Sequence, residues 1–444
     1  MPIPDPHWIH LGMRILVVSN LYPPAVYGGY EVLCAETVKR LRERHEVVVL
    51  TSAAESAPAE PGVVRELELL PPGKGSILRA PLAALRAARA TRRLIRSFQP
   101  DLVFVWNGAQ IPQAAIRVAE YHGAPVAYSV AEHWFGGLYG RDYFMRHLLP
   151  GDSGLRALWG RVIKAANRHP ALRLEAERKL PASICWVSDA LRRGTELPPT
   201  IEPLVQRVIY TGVHNAEVWS ERDRQPPTDP PTIAFVGRLE EQKGPSVAYR
   251  AIAALRDRHG IDAQLKLAGR ATPEKLLLLD RLGKELDIED RVELLGQLDQ
   301  PGVGQLLAGA SALVVPSTWQ EPSGGVCLEG GLARVPVVAS RSGGMPEGLR
   351  ENEHALYFPI GDADACADAL ARVLTDNAET EARTARAFGR AQQFNFENYM
   401  TQMSDFISAA VTEHTRRTRP HSDERLTHLR RPAGSIPQRP RSTI

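Results

Sequence analysis

The sequence predicts an α/β protein with two doubly wound parallel sheets that face each other across a cleft. Short apolar runs alternate with helical patterns along most of the 444 residues, and this alternation is typical of parallel βαβ units. It occurs in two series, separated by the polar segment 221–232 with its four prolines, a composition typical of a linker. We therefore expect two Rossmann-like domains, with ligands bound between them at the carboxyl ends of the strands.

The first series opens with the near-continuous apolar run 14–20, which suits a strand that is buried on both faces. A loop and a helical pattern over 30–42 follow this strand. Five further apolar runs predict the other strands of the domain. These runs are 46–51, 101–106, 126–130, 182–187 and 207–210.

The second series restarts after the linker and predicts five strands and a late helix over 363–374. A last helical pattern, 397–412, has no strand left to accompany within this domain. We expect this last helix to cross back to the first domain. The predicted strands are 233–237, 264–268, 292–295, 312–316 and 335–339.

These patterns divide the chain into two domains with terminal and linking segments. Residues 13–220 form the predicted first domain and residues 233–392 the predicted second domain. The remaining segments are an N-terminal extension (1–12), the linker (221–232), the helix that crosses back (393–414) and a basic tail (415–444).

Charge is distributed unevenly along the chain. The net charge is +3, but the tail holds eight arginines against two acids, so the first 414 residues are mildly acidic. The tail is also proline-rich and poor in large apolar side chains, a composition typical of disordered segments. We expect a solvated tail and no nucleic-acid partner, and a tail that contacts anionic lipid is the alternative.

Composition also excludes several classes of protein. No apolar run reaches the roughly 18 residues that a spanning helix needs, and the N-terminal residues lack the apolar stretch of a secretory signal. The four cysteines, at 34, 185, 327 and 366, are scattered, which argues against a disulfide framework or a cysteine zinc site. We therefore expect a cytoplasmic protein.

Two glutamates frame a glycine pair in the segment EPSGGVCLE, residues 321–329, after a predicted strand. Gly324 and Gly325 would let backbone amides approach an anion at the start of a helix. Glu321 and Glu329 would then border one pocket and accept hydrogen bonds from neighbouring hydroxyls of a sugar or ribose. The alternative is a capped helix with two solvated glutamates, and the pattern alone does not choose between them.

Two cations follow the first strand of the second domain, in the segment VGRLEEQKG. At the carboxyl end of a strand, Arg238 and Lys243 are well placed to neutralise a diphosphate, and a solvated charge pair is the alternative. In the first domain, Gly28 and Gly29 lead into the first helix. They either approach a ligand or make a tight turn, and no dinucleotide-binding fingerprint is present there.

Together these segments resemble the family-4 retaining glycosyltransferases, whose GT-B fold consists of two facing Rossmann-like domains. The resemblance runs from about residue 13 to residue 411. Its most specific element is the pair of glutamates separated by seven residues within the EPSGG and LE frame. Supporting motifs are VGRLEEQKG, YGGYE, VSDAL, VIYTGVH and VPVVASRSGGMPE.

The resemblance implies an acceptor site on the first domain and a nucleotide-sugar site on the second. Arg238 and Lys243 would bind the donor diphosphate and stabilise the departing nucleotide. Glu329 would hold the nucleotide ribose, and Glu321 would hold the hydroxyls of the transferred sugar. The other implied donor-binding residues are Gly28, Gly29, Arg270, Leu298, Gly324, Gly325 and Val326, with the nucleobase near Arg270 and Leu298.

The chain departs from the family pattern at two places. Ser323 stands where the family commonly has phenylalanine, which alters the pocket wall without removing a charge. After the strand 126–130, where the family carries a histidine followed by an acid, this chain has Ala131, Glu132 and His133. A shift of one or two residues would bring His133 into the cleft as a catalytic residue beside Glu132 on the acceptor side. Without that shift, the role of the histidine is lost.

The implied function is the metal-independent transfer of a hexose-type sugar from a nucleotide-diphosphate donor to an acceptor hydroxyl, with retention of configuration. Cations and amides at the phosphate would stabilise the leaving group, so no metal or other cofactor is expected. Asp362 and Asp364 superficially resemble a metal-binding pair, but helix capping explains them better because they precede a helix. The alternatives are a nucleotide-sugar epimerase or hydrolase of the same fold and a catalytically silent nucleotide-sugar binding protein.

The acceptor is not specified by these motifs. The segment 153–168 has an apolar face and a cationic face, which suits either packing on the first sheet or contact with an anionic membrane. The second interpretation would fit a lipid-linked or membrane-proximal acceptor at the inner face of a membrane. The basic tail offers another route to peripheral membrane contact.

Overall fold

The computed structural model of the chain contains two α/β domains. It describes residues 12–53, 59–71, 74–137, 142–148, 154–168, 174, 178–213, 218–219, 224–225 and 228–418. Residues 1–11, part of the predicted linker and residues 419–444 are not among them. The expectations for the N-terminal extension and for most of the basic tail therefore lie outside the described residues.

A seven-stranded parallel sheet forms the first domain. Its strands are β1 (Arg14–Ser19), β2 (Glu46–Ser52), β3 (Val63–Leu67), β4 (Leu102–Asn107), β5 (Val126–Val130), β6 (Leu180–Trp186) and β7 (Ile201–Val208). They are ordered β3-β2-β1-β4-β5-β6-β7, a doubly wound order that reverses direction beside β1. β4 and β5 are buried along their whole length, as near-continuous apolar sequences require.

Helices cover both faces of this sheet. They are α1 (Gly29–Leu41), α2 (Lys74–Phe98), α3 (Ala114–Tyr121), α4 (Leu155–Asn167) and α5 (Asp189–Gly194). α1 contributes to the apolar core on one face, and the other four helices contribute to the core on the opposite face. The outer surfaces of α2 and α4 therefore lie on the same side of the sheet.

The second domain contains a six-stranded parallel sheet with the order β10-β9-β8-β11-β12-β13. Its strands are β8 (Thr232–Val236), β9 (Gln264–Ala268), β10 (Val292–Gly296), β11 (Ala312–Val315), β12 (Val337–Ser340) and β13 (Leu356–Phe358). The helices are α6 (Pro245–His259), α7 (Pro273–Glu285), α8 (Gln300–Gly309), α9 (Gly325–Leu332), α10 (Met345–Gly348), α11 (Ala363–Thr375), α12 (Asn377–Ala391) and α13 (Phe396–Thr418).

The predicted α/β class, with two parallel-sheet domains, is confirmed. Two strands that the sequence patterns did not predict lie at the edges of the sheets. β3 carries Arg65 and Glu66 within five residues, and β13 has only three residues. Neither strand has the long apolar run that marks a central strand. Charged residues interrupt β3, which lies at the edge of its sheet, and β13 is buried but too short to form such a run.

The last helix, α13, leaves the second domain and packs on the first. Met403, Phe406 and Ile407 are buried in a core shared with β1, β2 and β4. The helix ends at Thr418, so residues 415–418, which the sequence assigned to the basic tail, belong to its last turn. None of the helices in the described part of the chain combines the length and the apolar character needed to cross a bilayer.

A carboxylate of the second domain fastens it to the first. Glu347 in α10 accepts hydrogen bonds from the backbone N–H groups of Asp189 (2.8 Å) and Ala190 (2.6 Å) at the start of α5. The hydroxyl of Tyr210 donates to the same carboxylate at 2.9 Å. A negative charge at a helix N-terminus is favourable, so this contact, here called the Glu347 clasp, holds the two domains together beside the cleft.

Candidate active site

A cavity of about 590 Å³ lies between the two domains. On the first-domain side it is lined by the loop that enters α1 and by residues that follow β5. On the second-domain side it is lined by residues after β8, β9, β10 and β11 and by the first turns of α9. The cavity therefore opens at the carboxyl ends of the strands, where doubly wound sheets bind ligands.

Glu31 fixes the glycine loop at the entrance to α1. Its Oε2 accepts hydrogen bonds from the backbone N–H groups of Gly28 (2.8 Å) and Tyr27 (3.2 Å), and its side chain is buried. Gly28 is the N-cap of α1 and Glu31 lies three residues further on, the spacing of a capping box. Gly28 and Gly29 are thereby held against the cavity.

Glu321 is the most firmly held carboxylate of the cavity. Its Oε1 accepts hydrogen bonds from Ser317 Oγ (2.6 Å) and Trp319 Nε1 (2.9 Å). Lys243 Nζ lies 2.7 Å from the same oxygen. The residue is 7% exposed, so these donors compensate the cost of burying its charge. All three donors meet Oε1, which leaves the other carboxylate oxygen, Oε2, outside these bonds.

Two glycines with positive φ allow the loops around Glu321 to approach closely. A Cβ atom on Gly343 (φ +51°) would lie 1.9 Å from the carbonyl oxygen of Glu321. A Cβ atom on Gly244 (φ +74°) would lie 1.8 Å from the carbonyl oxygen of Pro316. Gly244 follows Lys243 directly, so this close approach brings the ammonium group to Glu321.

The N-terminus of α9 points into the cavity. Gly324, the N-cap, adopts the left-handed conformation (φ +68°), which glycine adopts without strain. Gly325 and Val326 form the first turn and also line the cavity. Unpaired amides and the positive end of the helix dipole make such a turn a favourable place for an anion.

Glu329 lies one turn further into α9 and lines the same cavity. The residue is half-buried, and its carboxyl group is deep enough for burial to raise its pKa to about 7. Burial disfavours the charged form of a carboxyl group that lacks a compensating cation. A ligand with hydroxyl donors at this position would favour the ionised form instead.

Arg238 lies at the cavity mouth, in contact with the first domain. Its Nη1 lies 2.9 Å from both carboxylate oxygens of Glu240 and donates to the Tyr27 hydroxyl at 2.7 Å. The guanidinium also lies over the Tyr27 ring, 4.6 Å from its centre. Arg270 donates to the backbone carbonyl of Tyr27 at 3.1 Å. Tyr27 of the first domain thus touches two arginines of the second.

Residues that follow β9 and β10 form another part of the cavity lining. Gly269, Arg270, Gln297 and Leu298 belong to it, next to the ends of β9 and β10. A Cβ atom on Gly269 would lie 1.7 Å from the carbonyl oxygen of Gly237, so only glycine permits this close packing of the two loops. Arg270 and Leu298, the residues assigned to the nucleobase from the resemblance, therefore both line the cavity.

The two residues expected on the acceptor side have different positions. Glu132 lines the cavity. Burial and the neighbouring Glu31 raise its pKa, while Arg238 and Lys243 act in the opposite direction. His133 is not among the lining residues. Its Nε2 lies 2.9 Å from the carbonyl oxygen of Gln320, and its ring packs edge-on against Trp319, with the ring centres 5.6 Å apart.

The structure thus brings all the sequence-predicted site residues except His133 to one cavity. These residues are Gly28, Gly29, Glu132, Arg238, Lys243, Arg270, Leu298, Glu321, Gly324, Gly325, Val326 and Glu329. The supporting residues Glu31, Ser317, Trp319 and Tyr27 were not singled out. A capping-box spacing marks Glu31 in the sequence, whereas Ser317 and Trp319 carry no comparable signal.

Asp362, one of the two acids considered as metal ligands, is the N-cap of α11. Its side chain accepts a hydrogen bond from the backbone N–H of Ala365 at 2.9 Å. In the part of the chain that the structure describes, no group of three or more His, Cys, Asp or Glu side chains is arranged to hold a metal ion.

Two family models match the chain, one in each domain. Residues 27–171 match the model described as Glycosyltransferase Family 4. Residues 219–390 match the model described as Glycosyl transferases group 1. Together the two matches span both sides of the cavity.

Curated relatives resemble either half of the chain or nearly all of it. The D-inositol 3-phosphate glycosyltransferase of Corynebacterium efficiens is 32% identical over 223 residues, which are 48% of this chain and 51% of that protein. The chain thus matches about half the length of this relative. The glycogen synthase of Mycobacterium tuberculosis is 26% identical over 422 residues, which are 90% of this chain and 95% of that protein.

Solved structures share the fold at low identity. The sucrose-phosphate synthase of Thermosynechococcus elongatus superposes with a TM-score of 0.65 and 20% identity, covering 89% of this chain and 98% of its own. The Anabaena protein HepE, in complex with UDP and glucose, superposes with a TM-score of 0.61 and 19% identity. That match covers 89% of this chain and 99% of HepE.

Proposed function

The chain belongs to the GT-B glycosyltransferases that combine a family 4 domain with a group 1 domain, and from this we propose its reaction. It transfers a hexose-type sugar from a nucleotide-diphosphate donor to an acceptor hydroxyl. The transfer retains the anomeric configuration and requires no metal ion.

One observation carries this proposal. Arg238 and Lys243, the glutamates Glu321 and Glu329, and the N-terminus of α9 all line one cavity between the domains. Cations and helix amides suit a diphosphate, and carboxylates suit the paired hydroxyls of a sugar and a ribose. If these groups had lain on separate surfaces, the residues that the resemblance assigns to the donor could not have bound one molecule.

The proposed role of the two cations is to stabilise the leaving group. When the bond between the anomeric carbon and the phosphate oxygen breaks, negative charge grows on the nucleoside diphosphate. Lys243, Arg238 and the amides at Gly324 to Val326 are fixed around the proposed phosphate position, so little reorganisation is needed as this charge develops. Preorganised groups of this kind are worth about 10²–10³ in rate each.

The proposed role of Glu321 is to bind the transferred sugar. Its position against Lys243 (2.7 Å) puts the carboxylate beside the proposed phosphate site. One carboxylate oxygen is held by three donors, and the other can then accept hydrogen bonds from sugar hydroxyls. A negative charge here also favours the positive charge that develops on the sugar ring during transfer.

The donor can be identified by stability measurements. The HepE structure holds UDP and glucose, so UDP-glucose is the first compound to test, followed by guanosine and adenosine diphosphate sugars. A bound donor raises the melting temperature by mass action. We expect the same shift with and without EDTA, and a shift that disappears with EDTA would contradict the metal-independent mechanism.

Turnover separates the proposal from its alternatives. With donor alone, net epimerisation would indicate an epimerase, and rapid release of free sugar would indicate a hydrolase. With donor and a panel of hydroxyl acceptors, we expect a glycoside with the anomeric configuration of the donor. Glu321→Gln should abolish turnover and still bind UDP, whereas Glu381→Gln, an exposed position on α12, should behave as the wild type. A glycoside with inverted configuration would contradict retention.

A further inference from the structure

One side of the first domain carries exposed apolar side chains surrounded by cations. On α4, Leu158 is 62% exposed and Val162 is 48% exposed. On α2, Leu78 is 73% exposed and Leu82 is 50% exposed. Each pair is spaced by four residues, so its members lie on one face of their helix. Both helices pack on the same side of the sheet.

One face of α4 packs on the core of the domain, and the opposite face is exposed. Ile163 is fully buried in the core, and Trp159 packs against that core. The opposite face exposes Leu158, Arg161 and Val162 together with Lys164, Ala165 and Arg168. Part of the apolar character of this helix is therefore used by the core, and another part is left on the surface.

The charge of both helices is entirely positive. α4 contains no acid between Leu155 and Asn167, and within the described residues Arg161, Lys164 and Arg168 have no ion-pair partner. α2 contains no acid in its 25 residues. Its exposed cations follow the same face as its leucines, namely Arg79, Arg86, Arg89, Arg93 and Arg96.

Some of the cations on α2 are partly neutralised. Arg79 and Arg86 lie 2.9 and 3.9 Å from Glu68, and Arg93 lies 2.7 Å from Glu66. Glu68 is half-buried, and the other four side chains in these pairs are exposed. Surface ion pairs of this kind are weak, so they leave the field of the helix positive.

We propose that the outer faces of α2 and α4, which lie on the same side of the sheet and are here together called the α2–α4 face, bind an anionic bilayer. Isolated apolar side chains among cations match an interface where lipid headgroups are negative and acyl chains begin just below them. Charge complementarity selects this occupant over a second copy of the chain, because two such faces would repel each other. The inference concerns binding to a surface and is independent of the transfer reaction.

Exposed leucines elsewhere on the chain provide an internal comparison. Leu277 and Leu278 on α7 are 60% and 47% exposed. That helix carries three acids, Glu274, Asp280 and Glu285, close to its cations, and Asp287 follows it. Its apolar residues therefore lack a positive surround and should not bind anionic lipid.

The experiment measures co-sedimentation of the full chain with vesicles. We expect binding to phosphatidylcholine vesicles that contain about one third phosphatidylglycerol, little binding to phosphatidylcholine alone, and weakening with salt. Leu158→Ser with Val162→Ser, and separately Leu78→Ser with Leu82→Ser, should each weaken partition at least fivefold. Arg161→Glu with Lys164→Glu should weaken it at least tenfold at low salt. The matched control, Leu277→Ser with Leu278→Ser, should bind as the wild type.

Three outcomes would overturn the inference. The first is absence of binding to anionic vesicles. The second is binding that is unchanged in the helix variants and lost when the arginines of 419–444 are replaced by serine in the full chain, since the tail would then be the lipid contact. The third is a dimer that dissociates in the Leu158 and Val162 variant without any vesicle binding. Thermal unfolding of each variant, expected to match the wild type at these exposed positions, controls for misfolding.

Discussion

Lys243 is the residue whose removal should affect the reaction most directly. Its ammonium group lies 2.7 Å from Glu321 and faces the proposed phosphate position. We expect Lys243→Ala to lower kcat by about 10²-fold or more, because a fixed positive charge opposite the leaving group is lost. Lys39→Ala, at a position that is 79% exposed on α1, should leave kcat unchanged. Equal activity of the Lys243 variant and the wild type would contradict the proposed mechanism.

Glu329 should give the stability of the protein a characteristic pH dependence. Burial raises the pKa of this carboxyl from 4.5 to about 7. Between these values the folded protein holds a proton that the unfolded chain has released, so the free energy of unfolding falls as pH rises and levels off above pH 7. The fall is at most about 3 kcal/mol, and less where water in the cavity screens the carboxylate.

The measurement for Glu329 is urea unfolding at several pH values between 5 and 8 for wild type and Glu329→Gln. The variant cannot titrate at this position, so the difference in unfolding free energy between the two proteins should change with pH. Glu381→Gln, an exposed carboxyl on α12, serves as the control. Parallel curves for wild type and Glu329→Gln would contradict the raised pKa.

At the scale of an element, the first turn of α9 depends on one glycine and tolerates change at the next. Gly324 has φ +68°, and a Cβ atom there would lie 2.2 Å from Met345 Cγ. We expect Gly324→Ala to lower the free energy of unfolding by about 1–2 kcal/mol and to weaken UDP binding. A Cβ atom on Gly325 would meet no protein atom within 4 Å, so Gly325→Ala should keep the stability of the wild type. Urea unfolding and UDP titration distinguish the two variants.

The helix α13 should stabilise the domain on which it packs. Phe406 is fully buried between this helix and the first sheet. Phe406→Ala should lower the free energy of unfolding by about 3–5 kcal/mol, the usual cost of deleting a buried aromatic side chain. Asp405→Ala, the exposed neighbour, is the matched control and should have little effect in the same urea titration. Similar stability of both variants would mean that α13 is not part of the core.

At the scale of the whole molecule, the Glu347 clasp should control how firmly the domains are joined. Its carboxylate accepts the amides of Asp189 and Ala190 and the Tyr210 hydroxyl. In Glu347→Ala these two amides lose their acceptors, so we expect their hydrogen exchange to become at least about tenfold faster, the equivalent of one or two kcal/mol. Tyr210→Phe removes one of the three bonds and should change the exchange less. Unchanged protection in Glu347→Ala would show that the clasp does not fasten α5.

The fold could be predicted from sequence patterns because burial restricts the residues that a central strand can contain. β1, β4 and β5 are covered on both faces, so they must be apolar at nearly every position. The edge strand β3 is less covered and carries charged residues, and β13 is buried but has only three residues, so neither gives a clear apolar run. The parallel direction of the strands followed from the alternation, since parallel neighbours need a helical crossover. The order of the strands within each sheet was not predicted.

The candidate site could be predicted from the sequence where its chemistry and backbone geometry constrain the residues of a short segment. Glu321, Gly324 and Glu329 lie within nine residues, so their pattern survives in the sequence. The donors that hold Glu321 include Lys243, which is 78 residues away, and such a pairing leaves no local signal. The placement of Glu132 in the cavity and His133 outside it depends on the path of the loop after β5, which a single sequence does not specify.

The return of α13 to the first sheet has a consequence for the topology of the molecule. The described chain begins and ends on the first domain, so the second domain is an insertion with two covalent attachments. Two covalent connections allow the second domain to rotate about the line that joins them. They restrict sliding or twisting of one domain against the other. The cleft should therefore open by rotation of one domain against the other. A fragment that begins at the second domain would contain α13 without the first sheet, so the apolar face of this helix would be exposed to water.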